Sequence, residues 1–312
     1  MNRFSLLTVH WNTAELTLKF VDLVMPYVIA NDWQLFLLEN GSSDTEKKIL
    51  KDGLRKNGLN QNDFFHLIES DENLGFAGGI NLIADHAFRR FPKNHFWVLN
   101  TDITIPESTM NYIHTRLELN DRLVGSLVFD ETGDKLLFSG ASFPLTIFGV
   151  QYSKTKKISP NEKWDTSYCE GSSLVINNFI YKDLISERKT LFDGKLFLYC
   201  EDLELGLKAK QLGYHSELDT NLIIYHKHSQ SGGGSGNFLA FYYITRNRIL
   251  LAIDYLSLPV YIFYILFSII TRLAINIVLI RKRSAKVRSA IFAGILDGML
   301  GKTGRWKNHP VK

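Results

Sequence analysis

The sequence predicts an α/β fold in which a mostly parallel, Rossmann-like sheet is flanked by helices. Four apolar runs rich in β-forming residues, at 4–11, 33–40, 64–70 and 95–100, alternate with segments of helical character. This alternation is typical of a doubly wound sheet. The 312 residues include 45% hydrophobic residues, 22 Gly and only 7 Pro. That composition excludes a disordered chain, a collagen-like fibre and a simple coiled coil.

The segments between these runs carry the features of helices. Residues 13–30 space apolar side chains along one helical face. After the second run, Ser42 or Ser43 can cap the next helix. After the third run, a glycine-rich loop leads into a helix that we expect over 81–90. Farther along, short strands and turns lead to a helix in the second half of 196–214.

Polar residues gather where the predicted strands end. They are Asn12, Glu39, Asn40, Glu72, Asn73 and Asp102. In open parallel sheets, ligands bind at the carboxyl ends of the strands. Asp102 is suited to hold Mg²⁺ or Mn²⁺, which prefer oxygen ligands and bridge to phosphates. An Asp that caps the following turn would give the same sequence pattern.

The second half of the chain adds acids and histidines. Glu201 and Asp202 follow the apolar run 196–199, and acids in a first helical turn are favoured by the helix dipole alone. Their side chains point in different directions, so one could act as a general base while the other orients it. His226 and His228 face the same side of an extended segment. They could bind a metal or a phosphate, or be surface histidines beside a loop.

The stretch from Asn73 to Asn81 is the most distinctive local feature. Its three glycines let the backbone approach a ligand closely, and the following helix presents unpaired N–H groups; a tight turn is the structural alternative. The sequence has no G-x-G-x-x-G after the first strand, no G-x-x-x-x-G-K-[ST] and no H-E-x-x-H. A dinucleotide oxidoreductase and a P-loop enzyme are therefore disfavoured.

Eight motifs occur in a characteristic order. They are TVHWN (8–12), ENGSSD (39–44), ENLGFAGGIN (72–81), LNTD (99–102), CEGSSLVI (169–176), FLYCEDLELGLKAKQLGY (197–214), YHKHSQS (225–231) and YYITRNR (242–248). Together they resemble a family 2 glycosyltransferase of the GT-A fold, and most closely the rhamnosyltransferase-like enzymes of bacterial polysaccharide assembly. The resemblance covers roughly residues 4–250.

This resemblance implies a nucleotide-sugar donor. It favours dTDP-rhamnose as that donor, and UDP- and GDP-sugars are the alternatives. It implies a glycan or lipid-linked glycan as acceptor. The donor-binding residues that it assigns are Thr8, His10, Asn12, Glu39, Asn40, Ser42, Asn73, Gly75, Phe76, Ala77, Gly78, Asn81, Asn100, Thr101 and Arg246. Arg246 would face the diphosphate.

The resemblance also implies the metal site and the catalytic acids. Asp102 matches the last acid of the family's D-x-D element, whereas Asn100 stands where many members carry the first Asp. The metal, Mg²⁺ or Mn²⁺, would then rest on Asp102, with His226 as a further ligand. Glu201 and Asp202 match the motif that supplies the base, and Asp202 is favoured. The implied reaction is a single displacement that inverts the anomeric carbon.

The C-terminal region differs in character from the rest. Residues 271–312 carry ten Lys and Arg against one acid, while the remaining residues are net acidic. Residues 258–280 are nearly all apolar and precede a basic run. We expect a helical anchor that lies in or shallowly enters an anionic membrane surface. A single span, a buried helix and an oligomer contact are the alternatives.

These features predict a GT-A domain over 1–250, with a nucleotide-binding half at 1–102 and an acceptor half at 103–250, and a membrane-associating extension over 251–312. The expected location is the cytoplasmic face of the bacterial inner membrane, because the N-terminus lacks a signal peptide and the two cysteines suit a reducing compartment. The acidic body argues against nucleic-acid binding. A sugar nucleotidyltransferase and a non-catalytic membrane scaffold are the alternative functions.

Overall fold

The computed structural model describes residues 2–148, 158–227, 238–278 and 285–307. The strands are β1 (Phe4–His10), β2 (Gln34–Asn40), β3 (Phe65–Ser70), β4 (His95–Leu99), β5 (Ile103–Thr104), β6 (Arg122–Asp130), β7 (Leu136–Phe138), β8 (Lys163–Thr166), β9 (Ser173–Ile176) and β10 (His215–His226). The helices are α1 (Ala14–Ala30), α2 (Asp44–Lys56), α3 (Gly75–Arg90), α4 (Glu107–Thr115), α5 (Asn178–Arg188), α6 (Glu201–Gln211), α7 (Phe238–Tyr255), α8 (Leu258–Val278) and α9 (Ala285–Met299).

One central sheet organises the molecule, in the order β3-β2-β1-β4-β9-β6-β10-β5, with β7 paired to β6 and β8 to β10. The first four strands in this order are parallel, as the sequence predicts. The second half is mixed, because β9 runs antiparallel between β4 and β6. The prediction of an α/β sheet flanked by helices is confirmed, while its mostly parallel character holds for the first half of the sheet.

Hydrophobic layers cover both faces of the sheet. Alternate residues of β1 point to opposite faces, so Leu6 joins the layer formed with α1, α2 and α4, and Leu7 joins the layer formed with α3, α5 and α6. Both side chains are fully buried. The carboxyl ends of β1, β2 and β4 therefore meet at one edge of a rigid, two-sided core.

Helix α3 begins earlier than the sequence predicts. It starts at Gly75, so the glycine-rich segment forms its first turns instead of a loop that ends near Asn81. The backbone N–H groups of Phe76 and Ala77 donate to the carbonyl oxygen of Phe197 at 2.9 and 3.4 Å. Gly75 has φ of +73°, and a Cβ at this position would lie 2.2 Å from that same oxygen. Glycine is thus required by a close approach of two distant segments.

The C-terminal helices pack on the body of the protein. A buried apolar cluster joins Leu203 and Leu207 of α6 to Ile249 of α7 and Tyr264 of α8. Helix α9 lies against α7 so closely that a Cβ on Gly294 would be 2.7 Å from the carbonyl oxygen of Tyr242. Helix α7 itself continues through the predicted boundary at residue 250.

Helix α8 presents apolar side chains outward. Leu258, Ile262, Phe263, Leu266 and Ile270 are each more than half exposed. Within the described ranges, no helix is both long and apolar enough to cross a membrane. The basic run that was predicted to meet headgroups at 281–283 lies outside the described residues.

Candidate active site

A cavity of about 460 Å³ opens at the carboxyl ends of β1, β2 and β4. It brings together many of the residues that the sequence singles out. These are Asn40, Asn73, Gly75, Phe76, Asn100, Thr101, Asp102, Glu201, Asp202 and His226. Residues far apart in the chain therefore meet in one space, which is what a catalytic site requires.

The remaining predicted site residues do not line the cavity. They are Thr8, His10, Asn12, Glu39, Ser42, Ala77, Gly78, Asn81 and Arg246. Several tie neighbouring loops together: Glu39 accepts from the N–H of Ser42 at 2.7 Å, and Ser42 Oγ accepts from the N–H of Asn12 at 2.9 Å. Asn81 exchanges two hydrogen bonds with the backbone of Phe192.

A polar pair lies buried beneath the ends of β1 and β2. His10 and Glu39 occupy adjacent register positions on β1 and β2 and are fully buried. Burial lowers the pKa of His10, against the opposing charge of Glu39. His10 Nδ1 is 2.9 Å from Thr17 Oγ1, so the imidazole is held as a neutral, oriented group. The assignment of this pair to the donor stays a prediction.

Asn40 fixes the loop that enters α3. Its side-chain oxygen accepts from the N–H of Leu74 at 2.9 Å, and its nitrogen donates to the carbonyl oxygen of Gly75 at 3.1 Å and to Asn73 Oδ1 at 3.2 Å. Asn73 in turn accepts from the N–H of Gly75 at 2.8 Å. The polar rim of the cavity is therefore preorganised by its own hydrogen bonds.

Asp102 and His226 form a buried contact at the cavity floor. His226 Nε2 lies 3.0 Å from Asp102 Oδ1, and the N–H of Lys227 donates to the carbonyl oxygen of Asp102 at 3.0 Å. Burial alone would lower the pKa of His226, but its hydrogen bond and charge interaction with Asp102 raise it overall. The carboxylate of Glu170 is 3.8 Å from His226 Nδ1.

The carboxylate of Asp102 and the imidazole of His226 are suitable ligands for a divalent cation that a substrate also helps to bind. In the described part of the chain, no group of three or more His, Cys, Asp or Glu side chains is arranged to hold a metal ion. Asp102 and His226 offer one carboxylate and one imidazole. Mg²⁺ is usually bound by one or two carboxylates together with waters and substrate phosphates. The residues present therefore fit a metal that needs a diphosphate to complete its coordination.

Glu201 and Asp202 open α6 in different environments. Glu201 is 6% exposed, and its Oε2 has no hydrogen-bond partner among the described residues. Burial, with the neighbouring charge of Asp202, raises the pKa of Glu201 to about 8. Asp202 is half-buried, and its two oxygens accept from the N–H groups of Leu203 at 2.8 Å and Gly171 at 3.2 Å.

Burial also raises the pKa of Asp202, although its two backbone donors oppose that rise. The two backbone donors favour the ionised form of Asp202, whereas Oε2 of Glu201 has no hydrogen-bond partner among the described residues. Asp202 is therefore the member of the pair whose negative charge the surrounding protein stabilises. It is also the more exposed member, so it is the carboxylate that a molecule in the cavity can reach.

The turn before α6 is held in an unusual conformation. Phe197, Tyr199 and Cys200 all have positive φ, at 63°, 67° and 69°, which costs on the order of 1–3 kcal/mol per residue unless surrounding contacts impose it. The side-chain nitrogen of Asn247 donates to the carbonyl oxygens of Leu196, Leu198 and Tyr199 at 2.9, 2.9 and 2.7 Å. Asn247 thus holds the turn that presents the two acids.

Arg246 also holds the turn before α6. Its guanidinium donates to the carbonyl oxygens of Leu196 at 2.8 Å and Gly304 at 2.6 Å, and it is 1% exposed. The structure therefore turns Arg246 away from the cavity and from the diphosphate position that the resemblance implies. The arginines that line the cavity are Arg248 and Arg305.

Sequence analysis did not single out Glu170, Arg248 or Arg305. Glu170 lies inside the CEGSS motif and Arg248 ends the YYITRNR motif, so both were quoted without a role. Arg305 follows α9 and carried no pattern that could reveal it. The helical phase of α7 would have separated Arg246 from Arg248, which lie about 200° apart around the axis.

Solved structures share this architecture. A mannosyltransferase from Pyrobaculum calidifontis, in complex with GDP-Man and Mn²⁺, superposes with a TM-score of 0.57 at 12% identity over 96% of this chain and 88% of its own. GalNAc-T7 with UDP, GalNAc and Mn²⁺ gives a TM-score of 0.56 at 14% identity over 79% of this chain. The match spans about half of that protein, 47%. The sequence matches no protein-family model and no curated protein. The fold is therefore the GT-A-like fold of glycosyltransferases.

Proposed function

We propose that this chain is a metal-dependent glycosyltransferase that moves a sugar from a nucleotide sugar to a hydroxyl group of a glycan acceptor. The observation that carries the proposal is one cavity, in a GT-A-like fold, that joins the Asp102–His226 pair to the partly exposed carboxylate of Asp202. The two similar structures hold a nucleotide or nucleotide sugar with Mn²⁺.

Asp102 and His226 would hold Mg²⁺ or Mn²⁺, which supplies positive charge against the diphosphate of the donor. Asn73, Asn100 and Phe76 line the same cavity and offer amide groups and a ring to the nucleoside and sugar. The sequence motifs favour dTDP-rhamnose as the donor and a family 2, rhamnosyltransferase-like enzyme. UDP- and GDP-sugars fit the same chemistry.

Transfer would follow a single displacement. Asp202 takes the proton of an acceptor hydroxyl as its oxygen forms a bond to the anomeric carbon. The bond between that carbon and the donor's phosphate oxygen breaks at the same time, and the nucleoside diphosphate leaves with the bonding electron pair. Attack from the opposite face inverts the anomeric configuration. The N–H groups of Leu203 and Gly171 hold the carboxylate of Asp202 in place.

Calorimetric binding of dTDP, UDP and GDP, each with and without Mn²⁺, tests the donor site. We expect one nucleotide to bind clearly more tightly with Mn²⁺, and Asp102→Ala to weaken that binding at least tenfold, since ligand loss removes much of the metal affinity. Asp52→Ala, an exposed acid on α2, is the matched control. If no nucleotide binds wild-type protein, the transferase proposal fails; equal binding by Asp102→Ala removes only the metal role.

A further part of the proposal is that the outer face of α8 docks on an anionic membrane surface, at the cytoplasmic side of the bacterial inner membrane. Ser268 is 7% exposed and points to the protein, whereas apolar side chains point outward. A helix on an ordinary soluble surface has polar side chains on its outer face. Lys286 in the first turn of α9 and Lys302 just after that helix are exposed, and α9 also exposes Leu296. Apolar and basic groups together suit anionic headgroups.

Vesicle flotation measures this docking. With phosphatidylcholine vesicles that contain phosphatidylglycerol, we expect the wild-type protein to float, and the triple change Ile262→Gln, Phe263→Gln and Leu266→Gln to weaken partitioning at least tenfold, since each buried apolar side chain contributes about 1.5–3 kcal/mol. The control replaces Ile49 and Phe179, which are 40% and 38% exposed on other helices. Equal flotation of the triple variant, or none by the wild type, contradicts the docking.

A further inference from the structure

The loop that precedes β9, residues 170–172, lies at the carboxyl end of β4. Strand β9 runs antiparallel to β4 with Ser173 opposite Leu99, so the residues before Ser173 continue past the end of β4. There the N–H of Asn100 donates to the carbonyl oxygen of Ser172 at 3.2 Å. All three loop residues line the cavity. The sheet register therefore carries this loop into the cavity, at the edge where the predicted metal ligands lie.

The same loop also contacts the proposed base. The N–H of Gly171 donates to Asp202 Oδ2 at 3.2 Å. A Cβ at Gly171 would lie 3.5 Å from the ring of Phe76 and 3.8 Å from Cβ of Asp202, so both side chains are in van der Waals range of this glycine. Residues 170–172 thus bridge the end of β4 and the start of α6.

Glu170 is the acidic side chain of this loop. Its Oε1 lies 3.8 Å from His226 Nδ1, which is longer than a hydrogen bond. The side chain of Glu170 is 22% exposed, whereas that of Asp102 is 1% exposed. A carboxylate can accept about four hydrogen bonds. Glu170 is therefore the acid beside the Asp102–His226 pair that a ligand in the cavity can reach, with acceptor capacity that the histidine does not use.

The proposed function places the transferred sugar against this loop. The donor diphosphate is held through the metal at Asp102 and His226, and the acceptor hydroxyl that attacks the anomeric carbon gives its proton to Asp202. The sugar ring is bonded to the diphosphate, so it must lie between these two parts of the site. Residues 170–172 bridge the same two parts. Glu170 consequently borders the sugar of the donor.

We propose that Glu170 binds hydroxyl groups of the transferred sugar and thereby selects which sugar is transferred. The inference rests on the proposed function. A carboxylate accepts strong, charge-assisted hydrogen bonds from hydroxyl groups, and two neighbouring hydroxyls can share its two oxygens. It repels a negative charge on a sugar at close range. The donor class is therefore a nucleotide linked to a neutral sugar with free neighbouring hydroxyls.

Calorimetry in the presence of Mn²⁺ tests the sugar contact separately from the nucleotide contact. The probes are dTDP-rhamnose, UDP-glucose, UDP-galactose and GDP-mannose, each compared with its own nucleotide diphosphate. We expect at least one nucleotide sugar to bind wild-type protein. Glu170→Ala should lower the affinity for that nucleotide sugar at least tenfold, the loss typical of a hydrogen bond to a charged group, and keep the affinity for its nucleotide within about threefold. Glu118→Ala, an exposed acid after α4, is the control and should change neither affinity.

The outcomes separate this inference from the proposed function. If Glu170→Ala binds the nucleotide sugar as wild type does, or loses affinity for nucleotide and nucleotide sugar to the same extent, the inference is overturned. Glu170→Gln keeps the size of the side chain and should show the same selective loss at smaller magnitude, so a folding defect in the alanine variant does not decide the result. If nucleotides bind wild-type protein and none of the four nucleotide sugars does, the sugar class is wrong and the inference is overturned. If no nucleotide binds, the proposed function itself fails.

Discussion

Asp202→Asn is expected to lower kcat for sugar transfer by about 10²–10⁴-fold, the range that a general base contributes. Asparagine keeps the size of the side chain and can still accept from the N–H of Leu203 or Gly171, but it cannot take a proton from an acceptor hydroxyl. The affinity for nucleotide should stay within about threefold of wild type, because the Asp102–His226 pair is untouched. Steady-state transfer assays and calorimetry on the same preparation measure both quantities.

Glu201→Gln is the matched control for this variant. Because the pKa of Glu201 is raised to about 8, the side chain is protonated at neutral pH and glutamine is close to its isostere. We expect Glu201→Gln to keep kcat within about tenfold at pH 7. If Glu201→Gln loses its kcat while Asp202→Asn stays active, Glu201 is the base, and the assignment of that role to Asp202 is wrong.

The pH dependence of kcat should also identify Asp202 as the base. Burial raises the pKa of Asp202 above its usual 3.8, and the base must be ionised, so activity is lost as pH falls through the raised pKa. The acidic limb in wild-type protein should therefore lie above the ordinary range of an aspartate. Glu201→Gln removes the charge that appears next to Asp202 above about pH 8 and should leave that acidic limb in place.

The first half of the fold could be predicted because its information is local. The four apolar runs correspond to β1, β2, β3 and β4 within about one residue at each end, since buried parallel strands read as continuous apolar segments. The strand-end positions of Asn40, Asn73 and Asp102 then follow from topology, and all three line the cavity.

What the sequence could not supply depends on contacts between distant segments. Helix α3 begins at Gly75 because the carbonyl oxygen of Phe197, more than a hundred residues away, caps its first N–H groups. The scaffold role of Arg246 depends on carbonyl groups of a turn whose left-handed conformation no local pattern shows. A motif match identified this arginine, and the packing of α7 decided what it contacts.

Asn247→Ala is expected to lower kcat about 100-fold while the nucleotide affinity changes little. The side chain is fully buried and donates to three carbonyl oxygens of the turn before α6. Without it, the carbonyl oxygens of Leu198 and Tyr199 lose this side-chain donor, the turn that holds Tyr199 and Cys200 at positive φ relaxes, and the acids that follow move. A displacement of about 1 Å at a reacting group can cost about a hundredfold in rate.

A control is needed because removal of a buried amide also destabilises the protein, by about 1–3 kcal/mol. Asn177→Ala supplies it: Asn177 is 3% exposed and donates to the carbonyl oxygen of Leu119 at 2.8 Å, far from the cavity. Both variants should lose similar stability in denaturant unfolding, but Asn177→Ala should keep wild-type kcat. If the two lose activity in parallel with stability, Asn247 is merely a structural residue. If Asn247→Ala alone loses kcat and its nucleotide affinity stays intact, Asn247 positions the turn that presents Asp202. The nucleotide affinity is the decisive readout because Asp102 and His226 are held separately, by the end of β4 and by β10.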